Sequence, residues 1–438
     1  MIPTNLTIKK AYAYVIVVAF LLLFPFGQLL RINLTALGFN FGIVPADILA
    51  LFSLPYLFLN NDILPALKGG VSPRRMTYKQ SLTLFAHFQS SIHPHPEGWG
   101  FLERCYNQKI LSYLKRIIFF FIASWVFSLI VFRTTAIVYG LMYLIRLVSY
   151  ISFAFLVNYL CASERIKKNI LNLTLVVLGF FMLLGACQFI FYYDLRDLYF
   201  SGWDDHYYRF VSTTLDPGYA AVVLNIGLVL VLAKNLIKSR YVKILFTVLF
   251  VTAVILTFSR AGYLTLLALL LYRFKKHFKK ILLVAVVVVI FLLIVPKPRS
   301  AGVELLRTFS ISSRVDDYKK TAEIFFKHPL FGVGYNNLCL FRVINGENNI
   351  ASHSCSGSDS SLLTILATTG VVGSMIFFIS FYKIIGLLPK DEYGHIVKMV
   401  IMVLLVSSLF NNTLFFNFNM GLFALFFGLS RKTSTLEN

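Results

Sequence analysis

The chain has 438 residues, of which 58% are hydrophobic and 14% are charged, and its mean hydropathy is +0.75. Soluble globular proteins carry about a quarter charged residues, so this composition excludes that class and indicates a polytopic membrane protein. The formal net charge is +22. Because Lys and Arg occur in short clusters between apolar segments, membrane topology and a phosphate-bearing substrate explain the charge better than nucleic acid does.

Twelve apolar segments are candidates for transmembrane helices, which need about 20 residues, or fewer where a helix is broken. The first follows Lys9 and Lys10, is long for a signal peptide and lacks a small-x-small cleavage site, so we expect it to be retained. The sequence thus predicts an all-α polytopic membrane protein of about twelve transmembrane helices, which form a single transmembrane domain over residues 1–438. The segments lie at approximately 11–30, 41–60, 115–132, 135–161, 169–193, 217–233, 244–258, 260–272, 281–295, 360–385, 398–411 and 414–430.

The distribution of Lys and Arg among the short loops predicts the orientation of the chain. With the N-terminus in the cytoplasm, the short cytoplasmic loops contain far more Lys and Arg than the short outer loops, as the positive-inside rule requires. An even number of spans then places both termini in the cytoplasm. Of the two long loops, residues 61–114 are predicted to be cytoplasmic, and residues 296–359, between the ninth and tenth spans, to lie on the outer side.

The longest polar interruption of the C-terminal half, Ser312–Gly373, lies largely within the outer loop. Ser313 and Asp316 have the three-residue spacing of a capping box, which predicts the start of an amphipathic helix that ends before His328-Pro329. Gly332 and Gly334 then predict a turn. In the apolar segment that follows, two further glycines, at positions 370 and 373, predict close helix approach.

Three arginines are candidates for binding an anionic group. Arg260 lies between two apolar segments at the outer boundary of the membrane. It either donates two parallel hydrogen bonds to a phosphate or is an ordinary interfacial arginine. Arg314 opens the outer amphipathic helix and is either a ligand or part of a solvated charged face. Arg146 lies near the centre of the fourth span, where a charged residue indicates function unless it forms a buried structural pair.

Candidates for acid or base chemistry also fall on the predicted outer side. Asp359 and His353 are the first and second choices, because a desolvated carboxylate or a histidine can remove a proton from a sugar hydroxyl. Asp359 directly precedes a span, so helix capping is an alternative role for it. The other outer candidates are His206, the pair Asp204-Asp205, and Asp216, which is interpreted first as a helix start.

Histidine and cysteine patterns give no sign of a metal site. His93-Pro94-His95-Pro96 contains two histidines, but a proline-rich turn is the commoner explanation. The five cysteines show no CxxC spacing, and we expect neither a metal centre nor another cofactor. Cys339 and Cys355 both fall in the predicted outer loop, where disulfides persist, so a bridge between them is a hypothesis.

Three sequence blocks, mainly within residues 217–385, resemble the O-antigen polymerase and O-antigen ligase superfamily of bacterial envelope glycosyltransferases. Ser259–Gly262 resembles the Ser-Arg-small pattern that precedes a span in this family. Arg314, with Tyr318 four residues later, resembles its Arg-x-x-x-Trp helix, and Pro329–Gly334 its Pro-Leu-x-Gly-x-Gly turn. Leu362–Gly373 resembles the segment that follows a His-Asn pair in family members.

The resemblance implies an inverting, metal-independent glycosyltransferase of the GT-C type in the bacterial inner membrane. Its donor would be a glycan on undecaprenyl diphosphate, used at the periplasmic face without a nucleotide sugar. By motif position, Arg260 and Arg314 would hold the diphosphate, with Arg146 as a further candidate. The expected partners are this lipid-linked oligosaccharide, the bilayer and, optionally, a chain-length regulator.

The chain departs from the family pattern at two positions. Tyr318 replaces the Trp, and Asp359-Ser360 stands where ligases have the His of the His-Asn pair. The second departure favours a polymerase that transfers a growing glycan onto a lipid-linked repeat unit, with Asp359 as the first candidate base. The alternatives are a ligase that uses a lipid A core acceptor, and a flippase for lipid-linked oligosaccharides.

Overall fold

The computed structural model describes residues 8–33, 41–59, 96–132, 138–201, 203–234, 236–294, 302–304, 308–346 and 357–431. Two short antiparallel hairpins, β1 (Ile32–Asn33) with β2 (Gly42–Ile43) and β3 (Asp194–Leu195) with β4 (His206–Tyr207), accompany a helical fold. Within the described residues the α-helices are α1 (Ile8–Leu23), α2 (Pro45–Leu51), α3 (Tyr56–Leu59), α4 (Pro96–Val131), α5 (Val138–Leu160), α6 (Glu164–Phe191), α7 (Pro217–Leu232), α8 (Arg240–Leu256), α9 (Arg260–Arg273), α10 (Phe278–Ile294), α11 (Phe309–Lys327), α12 (Leu338–Ile344), α13 (Ser361–Leu387), α14 (Glu392–Ser408) and α15 (Asn417–Leu429).

Helical segments long and apolar enough to cross a membrane confirm that the chain is an all-α polytopic membrane protein. Five such segments occur within the described residues, and α7 and α15 are shorter apolar helices. The predicted number of twelve spans stays a prediction, because several of the twelve segments form helices below the length of a full span. The five long segments are Ile8–Leu30, Lys109–Ile130, Gly140–Leu160, Glu164–Phe191 and Ser361–Leu387.

The N-terminal third differs from the prediction at two places. The segment expected to form one helix over 41–60 is broken into α2 and α3, with a turn that includes Pro55 between them. Proline supplies no backbone N–H for the preceding turn, so the helix ends before it. The helix expected over 115–132 begins earlier, because α4 starts at Pro96, and the cytoplasmic loop over 61–114 stays a prediction.

The core is organised around α7, which is buried along nearly its whole length. A helix that is apolar on every side belongs in an interior, and α7 packs against α6, α8, α9 and α14. Asn225, one of its few polar residues, donates from its side-chain amide to the carbonyl of Gly262 at 3.3 Å. This bond ties the start of α9, which begins at Arg260, to the central helix.

The amphipathic helix α11 ends where the sequence predicts but begins earlier. It starts at Phe309, and its N-cap, Thr308, makes no side-chain capping hydrogen bond, so the predicted capping box at Ser313 is wrong. The C-cap is His328, directly before Pro329, as expected. The longer helix adds a turn before Arg314 and places this residue within the helix.

The glycine turn after α11 is confirmed, and it docks into a break in α13. Gly332 and Gly334 have φ values of +67° and +87°, and the N–H of Gly334 donates to the carbonyl of Thr368 at 2.8 Å. Gly370 interrupts α13 with φ +64°, and a Cβ there would lie 2.3 Å from the carbonyl oxygen of Leu330. Only glycine fits these positions without strain, so the turn fixes α11 relative to α13.

Candidate active site

Polar side chains from distant parts of the chain line one cavity of about 720 Å³. The N-terminal hairpin and α5 form one end of it, and α11, the start of α13 and the loop after α14 form the other. An aromatic stack of Tyr219 on Phe416, with ring centroids 3.8 Å apart, forms part of the wall. The charged or amide lining side chains are Gln28, Arg31, Arg146, Asp204, His206, Asp216, Arg314, Asp316, Asp317, Lys320, Arg342, Asp359, Asn411, Asn412 and Asn417.

We call one part of this cavity the Arg314 end, defined by Arg314, Asp359 and Asn411. The guanidinium of Arg314 donates to the side-chain oxygen of Asn411 at 3.1 Å, and none of the ion pairs among the described residues involves Arg314. Arg260 is not one of the lining residues, but its positive charge interacts with that of Arg314. Two of the predicted anion-binding arginines are therefore neighbours.

A buried ion pair fixes the backbone at Asp359. Arg342, only 1% exposed, donates to Asp317 at 2.9 Å and to the hydroxyl of Thr321 at 2.8 Å. The second oxygen of Asp317 accepts from the Ser358 hydroxyl at 2.6 Å and from the backbone N–H of Asp359 at 2.8 Å. This network connects α11, α12 and the start of α13, and so holds Asp359 at the cavity.

The carboxyl group of Asp359 has an environment suited to proton transfer. Burial, followed by the negative charge of Asp317, raises its pKa, and the nearby Arg314 counteracts part of this shift. The N-cap of α13 is Ser360, whose side chain accepts from the N–H of Leu363, so the capping role considered for Asp359 is wrong. The Asp359 carboxyl group is therefore left facing the cavity.

Tyr318, which stands at the family's Trp position, connects α11 to the ends of two other helices. Its hydroxyl donates to the carbonyl of Leu409 at 2.8 Å and, more weakly, to that of Asp359 at 3.5 Å. An aromatic side chain with a polar end satisfies carbonyls that lie beyond the end of α14. Tyr318 thus stabilises the Arg314 end from a position outside the cavity lining.

The remaining acid and base candidates differ in how they are placed. Burial and the charge of Arg209 lower the pKa of His206 to about 4, so this cavity-lining imidazole is neutral at physiological pH. Asp216 caps α7 by accepting from the N–H of Tyr219 at 2.8 Å, as interpreted from the sequence. His353 lies outside the described residues. Of the acid and base candidates that the structure describes, Asp359 lines the cavity, is affected by the charge of Arg314 and does not cap a helix.

A second part of the cavity, the Arg31 end, is defined by Arg31, Arg146 and Trp203. Arg146 donates to Asp47 at 2.8 Å and to the carbonyl of Gly42, and it thus forms the buried structural pair considered as the alternative for it. The guanidinium of Arg31 lies 5.2 Å from the centre of the Trp203 ring. The predicted set of Arg146, Arg260 and Arg314 is therefore split between two ends of the site.

Several residues of the site gave no usable signal in the sequence. The Asp317–Arg342 pair joins residues on different helices, although Arg342, a cation within the apolar sequence LCLFRVI, is the kind of residue that needs a partner. The sequence places Arg31 only in a short outer loop and Asn411 only at the end of the apolar segment 398–411. Cys339 is disulfide-bonded, whereas its predicted partner Cys355 lies outside the described residues.

Comparison with known proteins identifies the segment that carries the Arg314 end. A family model described as O-antigen ligase matches residues 245–378, a range that includes Arg260, Arg314 and Asp359. No curated protein is similar enough to the chain to count as a relative. The match confirms the resemblance to the O-antigen polymerase and ligase superfamily and, with the apolar helices, supports a bacterial membrane protein.

Proposed function

We propose that the protein is a surface-polysaccharide polymerase of the O-antigen type. It would transfer a growing glycan from undecaprenyl diphosphate onto a lipid-linked repeat unit at the periplasmic face of the inner membrane. The observation that carries this proposal is the position of Asp359, a half-buried carboxyl group with a raised pKa that shares one cavity with Arg314. Glycosyl transfer from a diphosphate needs a group that accepts the proton of the acceptor hydroxyl and a cation that binds the diphosphate, and Asp359 and Arg314 are suited to these two roles.

The proposed reaction is a single displacement at the anomeric carbon of the donor sugar. A hydroxyl oxygen of the acceptor forms the new bond to this carbon, the bond from the carbon to the diphosphate oxygen breaks, and the configuration inverts. Asp359 accepts the proton of the attacking hydroxyl, and the diphosphate leaves with the bonding electrons. Arg314, with Arg260 beside it, stabilises the negative charge that develops on the leaving group.

Ligase activity is the second candidate, because the matching family model is described as O-antigen ligase. A ligase would use the same donor and the same arginines but would pass the glycan to a lipid A core sugar. The match gives no support to the flippase alternative. The residue that favours the polymerase is Asp359, which replaces the His expected at the ligase position.

The decisive experiment uses the purified protein with synthetic repeat units on undecaprenyl diphosphate. We expect a ladder of longer lipid-linked glycans in the absence of lipid A core, and none from the Arg314→Ala variant. The control is Arg165→Ala, which removes an exposed arginine at the start of α6. Transfer only after lipid A core is added would identify a ligase, and unchanged substrate under both conditions would exclude both activities.

A further inference from the structure

The Arg31 end of the cavity carries more positive charge than its own carboxylate compensates. Arg31 and Arg146 are close enough for their charges to repel, and Asp47 forms an ion pair with Arg146. No carboxylate among the described residues forms an ion pair with Arg31. Two adjacent guanidinium groups with one carboxylate are an arrangement that an anionic ligand stabilises.

The hairpin of β1 and β2 builds this arrangement. Gly42 makes room for Arg31, since a Cβ at Gly42 would lie 1.9 Å from the Nε atom of Arg31. The carbonyl of the same glycine accepts a hydrogen bond from Arg146, so one residue positions both guanidinium groups. The Nε atoms of Arg31 and Arg146 are buried and have no hydrogen-bond partner. Buried donors without a partner leave this arrangement incompletely satisfied by the residues that the structure describes.

An apolar cavity of about 90 Å³ adjoins the Arg31 end. Its wall is formed by α4, α5, α13 and α15, and Phe415 lines both cavities. On α5, Arg146 faces the polar cavity, and the next residue, Leu147, faces the apolar one. The boundary between them is the cluster in which Asp47 accepts from Arg146 at 2.8 Å and from the Tyr150 hydroxyl at 3.0 Å.

A cationic pocket that continues into an apolar one is complementary to a lipid with an anionic headgroup. We propose that the Arg31 end binds the diphosphate of the acceptor lipid, with the first part of its isoprenoid chain in the adjoining apolar cavity. This inference rests on the proposed polymerase function, in which both donor and acceptor carry a lipid diphosphate. Trp203, beside Arg31, offers an aromatic face to the first sugar of the repeat unit, which extends from there towards Asp359.

The inference gives the two ends of the cavity separate ligands. The donor diphosphate binds at the Arg314 end and the acceptor diphosphate at the Arg31 end, so the protein binds two lipid diphosphates at once. A ligase needs only one such site, because its second substrate is not linked to undecaprenyl diphosphate. The number of lipid diphosphates bound therefore tests the acceptor site directly, without any requirement for turnover.

Native mass spectrometry of the purified protein with undecaprenyl diphosphate measures this number. We expect two bound molecules for the wild type and for the control Arg165→Ala, and one for Arg31→Ala. Phosphatidylglycerol at equal concentration should not displace the second molecule. One molecule on the wild type, two on Arg31→Ala, or displacement by phosphatidylglycerol would each overturn the proposal. Arg31→Gln, which keeps much of the side-chain volume, replaces Arg31→Ala if the latter fails to fold.

Steady-state kinetics with different molecules as donor and acceptor provide a second test, because KM can then be measured for each substrate. The donor is a repeat unit whose non-reducing hydroxyl is capped, and the acceptor is either lipid-linked or a free glycoside of the same repeat unit. Loss of a charged contact by Arg31→Ala should raise KM for the lipid-linked acceptor about tenfold and leave KM for the donor and for the free glycoside unchanged. An equal rise for both acceptors, or a rise for the donor, would contradict the assignment.

The two experiments distinguish failure of this inference from failure of the proposed function. If the wild type produces no glycan ladder but still binds two lipid diphosphates, one of them through Arg31, the second lipid site is supported and the proposed polymerase function is wrong. If the ladder forms while the wild type binds one lipid diphosphate, the polymerase stands and the acceptor site is wrong.

Discussion

The two ends of the cavity differ in how their arginines are held. At the Arg314 end, the guanidinium of Arg314 donates to the neutral amide of Asn411 and takes part in none of the ion pairs among the described residues. At the Arg31 end, Arg146 bonds the carboxylate of Asp47, which compensates most of its charge, and Arg31 supplies the excess. An arginine positioned by an amide is suited to stabilise a developing charge, whereas one positioned by a carboxylate chiefly stabilises the fold around the cavity.

The ends also differ in their relation to the family. The Arg314 end is built largely from the matched residues 245–378, whereas Arg31, Arg146 and Trp203 all lie outside that range. Shared donor chemistry at one end and a separate acceptor site at the other would produce this division.

The largest effect is expected at Arg314. Arg314→Ala should lower kcat/KM about 1,000-fold, because it removes a charged donor from the position where negative charge develops on the leaving diphosphate. Arg314→Lys should recover only part of the activity, because a lysine keeps the charge but cannot form two parallel hydrogen bonds. Glycan ladder formation measures both variants, with Arg165→Ala as the control. Normal activity of Arg314→Ala would remove the basis for assigning the donor to this end.

At the Arg31 end, the largest expected effect is on stability. Asp47→Ala leaves Arg146 buried without its carboxylate and should lower the free energy of unfolding by about 3 kcal/mol. Thermal unfolding in detergent measures this loss, and the exposed Asp197→Ala is the control. The double variant Asp47→Ala with Arg146→Ala should recover part of the loss, since no uncompensated charge remains. Equal stability of the single and double variants would show that the pair is not the cause.

The sequence predicted the helices better than it predicted the contacts between them. Continuous apolar segments such as the one from Pro217 identified α7 and its neighbours, because burial requires that pattern. Pro55 within 41–60 was a visible helix breaker, yet the overall hydrophobicity of that segment concealed the break.

The same contrast holds within the site. Arg314 was recognisable by motif, and Asp359 was chosen at the position where the chain departs from the motif. The Asp317–Arg342 pair and the adjacency of Arg31 and Arg146, in contrast, depend on contacts between segments far apart in the chain. Such contacts leave no local periodicity. Single residues with a charge in an apolar context could therefore be marked as candidates from the sequence, but their partners could not be assigned.

A moderate effect on activity is expected at Asp359, with a characteristic pH dependence. Asp359→Asn should lower kcat/KM about 100-fold through loss of the proton acceptor. In the wild type, kcat/KM should fall as the pH drops through the raised pKa of this group, and the variant should lack that limb. Rates measured across the pH range test this, with the exposed Asp197→Asn as the control. An unchanged acid limb in the variant would assign the base elsewhere, with His353 and the neutral His206 as the next candidates.

The same substitution should change stability in the opposite direction. Because the pKa of Asp359 is raised in the folded protein, the folded state binds this proton more tightly than the unfolded chain does. Its contribution to stability is therefore present at a pH below the unfolded value and is lost as the pH rises through the folded value. Asp359→Asn should thus have a higher Tm than the wild type at neutral pH, and the difference should shrink in acid.

The smallest effect is expected at Tyr318, which supports the Arg314 end without lining the cavity. Tyr318→Phe removes the hydrogen bond to the Leu409 carbonyl and should lower the free energy of unfolding by about 1 kcal/mol. Thermal unfolding tests this, and the exposed Tyr382→Phe on α13 should have no effect. If Tyr318 only positions Arg314 and Asp359, its loss lowers kcat a few-fold and leaves acceptor binding at the Arg31 end unchanged. A raised acceptor KM in this variant would mean that the two ends are coupled through α11 and that the cavity acts as one site.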